Sequence, residues 1–193
     1  MNIKRPHPKQ PIPSHAKKVF SGIIFDVYQW EQKLFDGTTT TFESIKREDT
    51  VNIISVTTEK KIIVTHQEQP RQESFIGLPG GRIDRNENPL SCAKRELFEE
   101  TGYTAQKFEI WDATQPFTMM DWSIYTFVAK GCAKRSELNL DAGEKITLEF
   151  LSFDEFIYLM THTQFRDLEV AMKILRMKED KKALNEFKTL LFV

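Results

Sequence analysis

The chain has 193 residues, 40% of them hydrophobic, and 27 Lys and Arg against 28 Asp and Glu for a formal net charge of −1. That length and composition support one substantial globular domain with room for a small appendage, and the near-zero charge gives no basis for general attraction to nucleic acid or to a membrane surface. No apolar run approaches the ~20 residues that span a bilayer, and Cys92 and Cys132 lie too far apart to suggest a disulfide framework or a metal motif, so a reducing cytoplasm is expected.

Residues 1–14 are basic and proline-rich and read as a flexible arm without the apolar core of an export signal. Residues 19–30 are rich in β-branched and aromatic side chains and read as one strand or two. Phe35-Asp36-Gly37 is a turn signal, and residues 38–45 return as the hairpin partner. Residues 51–57 and 61–67 form a second hairpin about Glu59-Lys60, and the weak alternation of its first strand predicts burial on both faces. A loop with Pro70 leads into Phe75-Ile76-Gly77-Leu78-Pro79 and the pair Gly80-Gly81. A helix follows over residues 89–101, then strands over 107–113, 122–129 and 146–151 and helices over 154–161, 165–178 and 182–191.

The helix at 89–101 carries the chemistry. Asn88 suits the N-cap, Pro89 the first helical position and Gly102 the left-handed residue just past the end. Leu90, Ala93 and Leu97 recur at helical spacing and form its buried stripe. Glu96 and Glu100 are four apart and Glu99 is three from Glu96, so all three face one pocket beside that stripe. Clustered carboxylates repel one another unless a cation compensates them. Arg95 is placed to pair with the cluster and orient a carboxylate, and Gly80 and Gly81 let the backbone approach a metal or a phosphate. Hard oxygen donors without a His or Cys array select Mg²⁺, or Mn²⁺ in its place, over zinc. Cys92 is a poor ligand for such a cation and reads as a small packing residue. Sites of this kind complete their coordination with water and substrate phosphates, which points to metal-assisted attack of water on a phosphoanhydride. The plainer alternative is a solvated, charge-laced helix.

The spacing of the whole stretch decides between them. Residues 81–103, GRIDRNENPLSCAKRELFEETGY, resemble the Nudix box. Gly81, Glu87, Arg95, Glu96, Leu97, Glu99, Glu100 and Gly102 fill its positions without a gap, and Tyr103 stands where the pattern has an aliphatic residue. The resemblance implies an α+β Nudix fold, a mixed β-sheet sandwiched between helices. It implies Glu96 and Glu100 as metal ligands with Glu99 in support and the Gly80 carbonyl as a further ligand. Glu87 and Arg95 would brace the site by ion pairing.

The two hairpins ahead of the box resemble the ADP-ribose and ADP-sugar pyrophosphatase group, which carries a small N-terminal β-subdomain that commonly mediates dimer formation. That likeness divides the chain into the arm at 1–14, a subdomain at 15–48 and a Nudix domain at 49–193, and implies a homodimer. Gln69-Pro70-Arg71, ahead of Leu78-Pro79-Gly80-Gly81, is similar to the group's Gln-aromatic-Arg element and assigns Arg71 to a substrate phosphate. Pro70 departs from that element, and Gly77 stands where the group has a glutamate, for which Glu73 is a nearby substitute. In the polar loop 141–146 the resemblance makes Glu144 the catalytic base or a further metal ligand, with Asp141 second. Among Phe25, Tyr28, Trp30, Phe117 and Trp122, Trp30 is chosen as the platform for an adenine ring.

The expected activity is Mg²⁺-dependent hydrolysis of a nucleotide sugar, ADP-ribose or an ADP-sugar, to a nucleoside monophosphate and a sugar phosphate. Its rivals are another Nudix substrate (GDP-mannose, a nucleoside triphosphate, a dinucleoside polyphosphate), an RNA cap, or a non-catalytic nucleotide sensor. No box glutamate is lost, as a sensor would have it, and no excess of basic residues speaks for a cap.

Overall fold

The computed structural model describes residues 3–140, 142–143, 145–160 and 165–193. Two sheets form in succession. The first hairpin joins β1 (Lys17–Ser21) to β2 (Asp26–Lys33), and β3 (Thr39–Lys46) returns alongside β2. The turn between β2 and β3 uses Gly37 at φ 87° and the Asp36 carboxylate, which accepts the Thr38 N–H at 2.9 Å. A short strand from further along the chain, β10 (Met120–Asp121), adds in parallel to β3. The small sheet therefore takes its fourth strand from residues 120–121, outside the stretch 15–48.

The main sheet is built on β4 (Thr50–Thr57), β5 (Ile62–Glu68), β11 (Ile124–Lys134) and β12 (Lys145–Leu151), in the order β12-β5-β4-β11. β6 (Phe75–Gly77) pairs β5, β7 (Gly80–Arg82) pairs β4, and β8 (Tyr103–Thr104) and β9 (Lys107–Thr114) both pair β11. The central β4–β11 pair is parallel and the other pairs antiparallel, so the sheet is mixed.

Strand alternation explains why helices cover both faces. From β4 and β11, Val51, Ile53, Tyr125, Phe127 and Ala129 pack on one side with Cys92, Ala93 and Leu97 of α1 (Pro89–Thr101). Ile54, Val56 and Val128 face the other way, onto α2 (Phe153–Leu159), α3 (Leu168–Lys178) and α4 (Lys181–Phe192). The fold is the α+β sandwich expected, with β4 buried on both faces.

Some details differ from the sequence reading. β7, β8 and β10 were not anticipated; they are two or three residues long and exist only because a neighbouring strand offers hydrogen bonds. The helix expected from residue 165 starts at Leu168, because Phe165 bridges to Ile76 and the Arg166 N–H donates to the Ile76 carbonyl at 2.8 Å. The helix expected from 154 starts one residue earlier, fixed by a capping box between Ser152 and Glu155.

The described part of the arm, from residue 3, is irregular and touches the rest of the chain. Arg5 forks onto Asp49 at 2.8 and 2.9 Å and reaches Asp121 at 2.7 Å, and Ile3 packs on the α1 core. Among the described residues no helix is long and apolar enough to cross a membrane.

Candidate active site

The caps of α1 set the register of the glutamates. The Asn88 side chain accepts the Ser91 N–H at 2.9 Å, Pro89 opens the helix, and Gly102 closes it at φ 74° with its N–H on the Phe98 carbonyl at 2.8 Å. With Ala93 and Leu97 fully buried, Glu96, Glu99 and Glu100 come to the rim of a cavity of about 480 Å³. The glycine strand β7 forms its opposite wall. The Gly80 N–H donates to the Glu100 carboxylate at 2.9 Å, and Glu100 is only 6% exposed. A Cβ at Gly80 would run into the Val51 carbonyl, so the close approach of β7 to β4 requires glycine there, and one at Gly81 would push the Glu96 carboxylate from the wall.

Arg95 ties the cluster together. It forks onto both oxygens of Glu87 at 3.1 and 2.9 Å, and its Nη1 reaches Glu96 at 2.8 Å and Glu99 at 3.0 Å. Its Nη2 also donates to the Arg82 carbonyl at 3.1 Å, which pins the β7 wall to the helix. These bonds hold the Glu87 carboxyl below its ordinary range and raise the guanidinium further above its own. Burial pushes the Cys92 thiol up, and its Sγ lies 3.3 Å from the Arg82 carbonyl, as a packing residue would.

The donor set suits a hard divalent cation: three carboxylates and the backbone of Gly80, with the nearby sulfur turned away. As the side chains stand, no three acidic, His or Cys groups among the described residues converge at ligand spacing. Glu96 and Glu99 engage Arg95 and Glu100 engages the Gly80 N–H. A cation here would be held by two or three carboxylates and completed by backbone carbonyl, water and phosphate oxygens.

A second cavity, of about 340 Å³, abuts the first across β7; Arg47, Gly80, Gly81 and Arg82 line both. Its far side brings Trp122, Asn52, Arg166, Asp167 and Glu169 together. The Asn52 amide donates to Glu169 at 2.6 Å, and the buried Asp167 accepts the Leu78 N–H at 2.7 Å. Burial, and then the charge of Asp167, push the Glu169 carboxyl up to about 7. Burial also raises Asp167. Arg47 lies over the Trp122 ring at 4.6 Å, and Arg166 over Phe75 at 4.1 Å.

The structure brings Glu87, Arg95, Glu96, Glu99, Glu100, Gly80 and Gly81 to one place and separates others from it. Arg71 sits exposed in a turn at φ 62° and lines neither cavity. Trp30 is 6% exposed, with its ring 6.2 Å from Phe42 and its Nε1 on Gln32 at 3.1 Å, so no face is open to a base. The aromatic side chain that lines the site is Trp122. The carboxylate lying against Gly77 is Asp167; Glu73 is exposed. Glu144 and Asp141 lie outside the described residues. Asn139, whose N–H donates to the Glu99 carbonyl at 2.8 Å, and Leu140 line the acidic cavity. Sequence reasoning missed Arg47, Asn52, Arg166, Asp167 and Glu169. Only Arg82, next to the glycine pair, carried a positional signal.

Known proteins resemble this chain in sequence and in fold. Residues 46–171 match the NUDIX domain family. The "Methanol dehydrogenase activator" of Bacillus methanolicus is 31% identical over 170 residues, covering 85% of this chain and 91% of that protein. The "ADP-ribose pyrophosphatase" of Bacillus subtilis (strain 168) is 30% identical over 169 residues, covering 84% and 91%. A solved structure described as "ADP compounds hydrolase" superposes with a TM-score of 0.70 at 17% identity, covering 91% of this chain and 98% of that one, a likeness of fold. With an unbroken box on a folded Nudix sandwich and a family match over most of its length, the chain belongs to the NUDIX domain family and is a hydrolase acting on acid anhydrides.

Proposed function

We propose that this Nudix hydrolase cleaves the phosphoanhydride of ADP-ribose or an ADP-sugar, with Mg²⁺, releasing AMP and a sugar phosphate. The observation that carries the reading is the placement of Glu96, Glu99 and Glu100 along the glycine wall of a cavity that adjoins a second one across β7. A diphosphate with two arms needs such a shape, and the Bacillus subtilis relative supports the choice of substrate. Glu96 and Glu100 would hold the cation, with Glu99 and the Gly80 carbonyl beside them. The bound cation would neutralise phosphate charge and lower the pKa of an attacking water. Arg95 fixes the carboxylates through Glu87, Glu96 and Glu99. Glu144 is the proposed acceptor of the water proton, with Asp141 as the alternative. A homodimer through the N-terminal sheet and a cytoplasmic setting complete the proposal; both cysteines are free and buried, which fits a reducing compartment.

The relative named as a dehydrogenase activator favours a second reading, in which the same site serves to regulate a partner enzyme. One experiment tests both. Glu100→Gln should lower kcat on ADP-ribose by about 10²-fold or more with Mg²⁺ present and flatten the Mg²⁺ dependence. Undiminished turnover in that variant removes the metal assignment. Absence of turnover by the unsubstituted protein on a panel of nucleoside diphosphate sugars, triphosphates and dinucleoside polyphosphates, with tight nucleotide binding, selects the regulatory reading.

A further inference from the structure

We propose that Arg5, on the N-terminal arm, is a positioning residue for the substrate: it staples the joint between the two sheets and so holds the cavity wall that carries Trp122. The inference rests on the reading of the two cavities as the substrate site and adds a residue that lines neither of them. The joint consists of two chain segments side by side. β3 ends at Lys46 and β4 begins at Thr50, while β10 ends at Asp121 and β11 begins at Ile124. β10 is parallel to β3 and β11 to β4, with Asp121 beside Lys46 and Ile124 beside Thr50. Both segments therefore cross from the small sheet to the main sheet at the same level. Arg47 and Thr50 on the first crossing, and Trp122 and Ile124 on the second, line the cavity of about 340 Å³.

Arg5 ties one crossing to the other. Its Nε and Nη2 donate to the two oxygens of Asp49 at 2.8 and 2.9 Å, and Nη2 also reaches Asp121 at 2.7 Å. The Asp49 carboxylate accepts the Ser123 N–H at 2.8 Å, and its backbone carbonyl accepts the N–H of Ile83, just past β7, at 2.9 Å. The Asp121 carbonyl accepts the Arg47 N–H at 3.3 Å, and the Trp122 Nε1 donates to the Thr50 hydroxyl at 3.1 Å. The two aspartate side chains are only 17% and 12% exposed. Like charges so placed repel one another unless a cation stands between them. A planar fork can serve both at once, which a lysine ammonium does less well. Lys46 lies 3.8 Å from Asp121, beyond hydrogen-bond reach. The arm is held on either side of Arg5, by Ile3 on the α1 core and by the Lys9 ammonium on the Pro116 carbonyl at 3.0 Å. Loss of Arg5 would let the crossings separate and shift the Trp122 ring, on which the Arg47 guanidinium rests at 4.6 Å.

The test compares the unsubstituted protein with Arg5→Ala, Arg5→Lys and the double variant Arg5→Ala with Asp49→Asn. Three quantities are measured: amide hydrogen exchange, calorimetric binding of ADP-ribose in EDTA, and kcat and KM for ADP-ribose with Mg²⁺. Arg5→Ala should speed exchange over residues 45–52 and 119–125 and leave β5 and β12 unchanged. It should weaken ADP-ribose binding and raise KM by ~5-fold or more, with kcat within about twofold. The double variant removes one of the two charges and keeps an oxygen for the Ser123 N–H, so it should recover part of the loss. Arg5→Lys should fall between, and it carries the test where the alanine variant does not fold. Unchanged exchange at both crossings overturns the staple. Faster exchange with unchanged binding and KM overturns the positioning role, as does failure of the unsubstituted protein to bind ADP-ribose at millimolar concentration. If binding depends on Arg5 while ADP-ribose is not cleaved, the positioning role stands and the proposed reaction falls. If ADP-ribose is cleaved and Arg5→Ala binds it normally, the reverse holds.

Discussion

Glu169 sits where chemistry and stability meet. Its carboxyl is half-buried, hydrogen-bonded to Asn52 at 2.6 Å and raised to about 7, first by burial and then by Asp167, with Arg166 and Asn52 pulling the other way. A carboxyl raised in the folded state binds its proton more tightly there than in the unfolded chain. Its contribution is therefore complete below its ordinary value of 4.5 and is lost as pH rises through about 7. The loss is on the order of 2–3 kcal/mol after allowing for partial solvent contact. Glu169→Gln should match the natural protein in urea denaturation at pH 4.5 and exceed it at pH 8; a pH-independent difference would reject the shift. Glu169 was invisible in the sequence for a physical reason. The box glutamates declare themselves because three or four residues bring them to one helix face, whereas Asn52 and Glu169 meet across 117 positions, a distance only the finished fold closes. Arg71 and Trp30 line neither cavity, and sequence could not show that for the complementary reason: a fork of donors or an aromatic ring has the right chemistry anywhere, and its place depends on which way a turn or a sheet directs it.

Helix α1 was legible almost to the residue because its stop signals are local, and the same locality makes it testable. Gly102 holds φ 74°, and a Cβ there would strike the Ser136 carbonyl. The N–H groups of Arg135 and Ser136 donate to the Gly102 carbonyl at 2.8 and 3.2 Å, and Asn139 to Glu99 at 2.8 Å. The end of the helix is thus also the anchor of the segment that leads to residue 144. Gly102→Ala combines left-handed strain of about 1 kcal/mol with displacement of that segment. We expect a total loss of about 2–3 kcal/mol in denaturant, accompanied by a fall in kcat that Ser91→Ala, a surface change at the other end of α1, does not reproduce. A stable, fully active Gly102→Ala would show that the anchor is unimportant. The short strands tell the opposite story: β7, β8 and β10 have no periodicity to read, yet β7 forms the wall of the site, through pairing of Gly80 and Gly81 with Asn52 and Val51.

At the scale of the whole molecule, the small sheet carries a group of exposed apolar side chains. In the small sheet β1 is an edge strand, and Val19, Phe20, Ile23 and Ile24 on it and on the turn to β2 are exposed, Phe20 at 59% and Ile23 at 98%. An exposed edge with unpaired backbone groups and large apolar side chains invites a second strand. A second copy of β1 would satisfy that edge by antiparallel pairing, the geometry of a twofold dimer. The edge adjoins the candidate site, because Ile24 lines the carboxylate cavity together with Arg47 and Glu96. Sedimentation at micromolar concentration should give a dimer, and Phe20→Lys with Ile23→Asp should give a monomer that melts as a folded protein, since neither side chain belongs to the buried core. The monomer should show a raised KM for ADP-ribose, because the turn carrying Ile24 loses its support beside the cavity. A natural protein that sediments as a monomer would remove the dimer, and a doubly substituted one that remains dimeric would place the contact elsewhere. An unchanged KM in a true monomer would leave β1 as an assembly surface without a part in substrate binding.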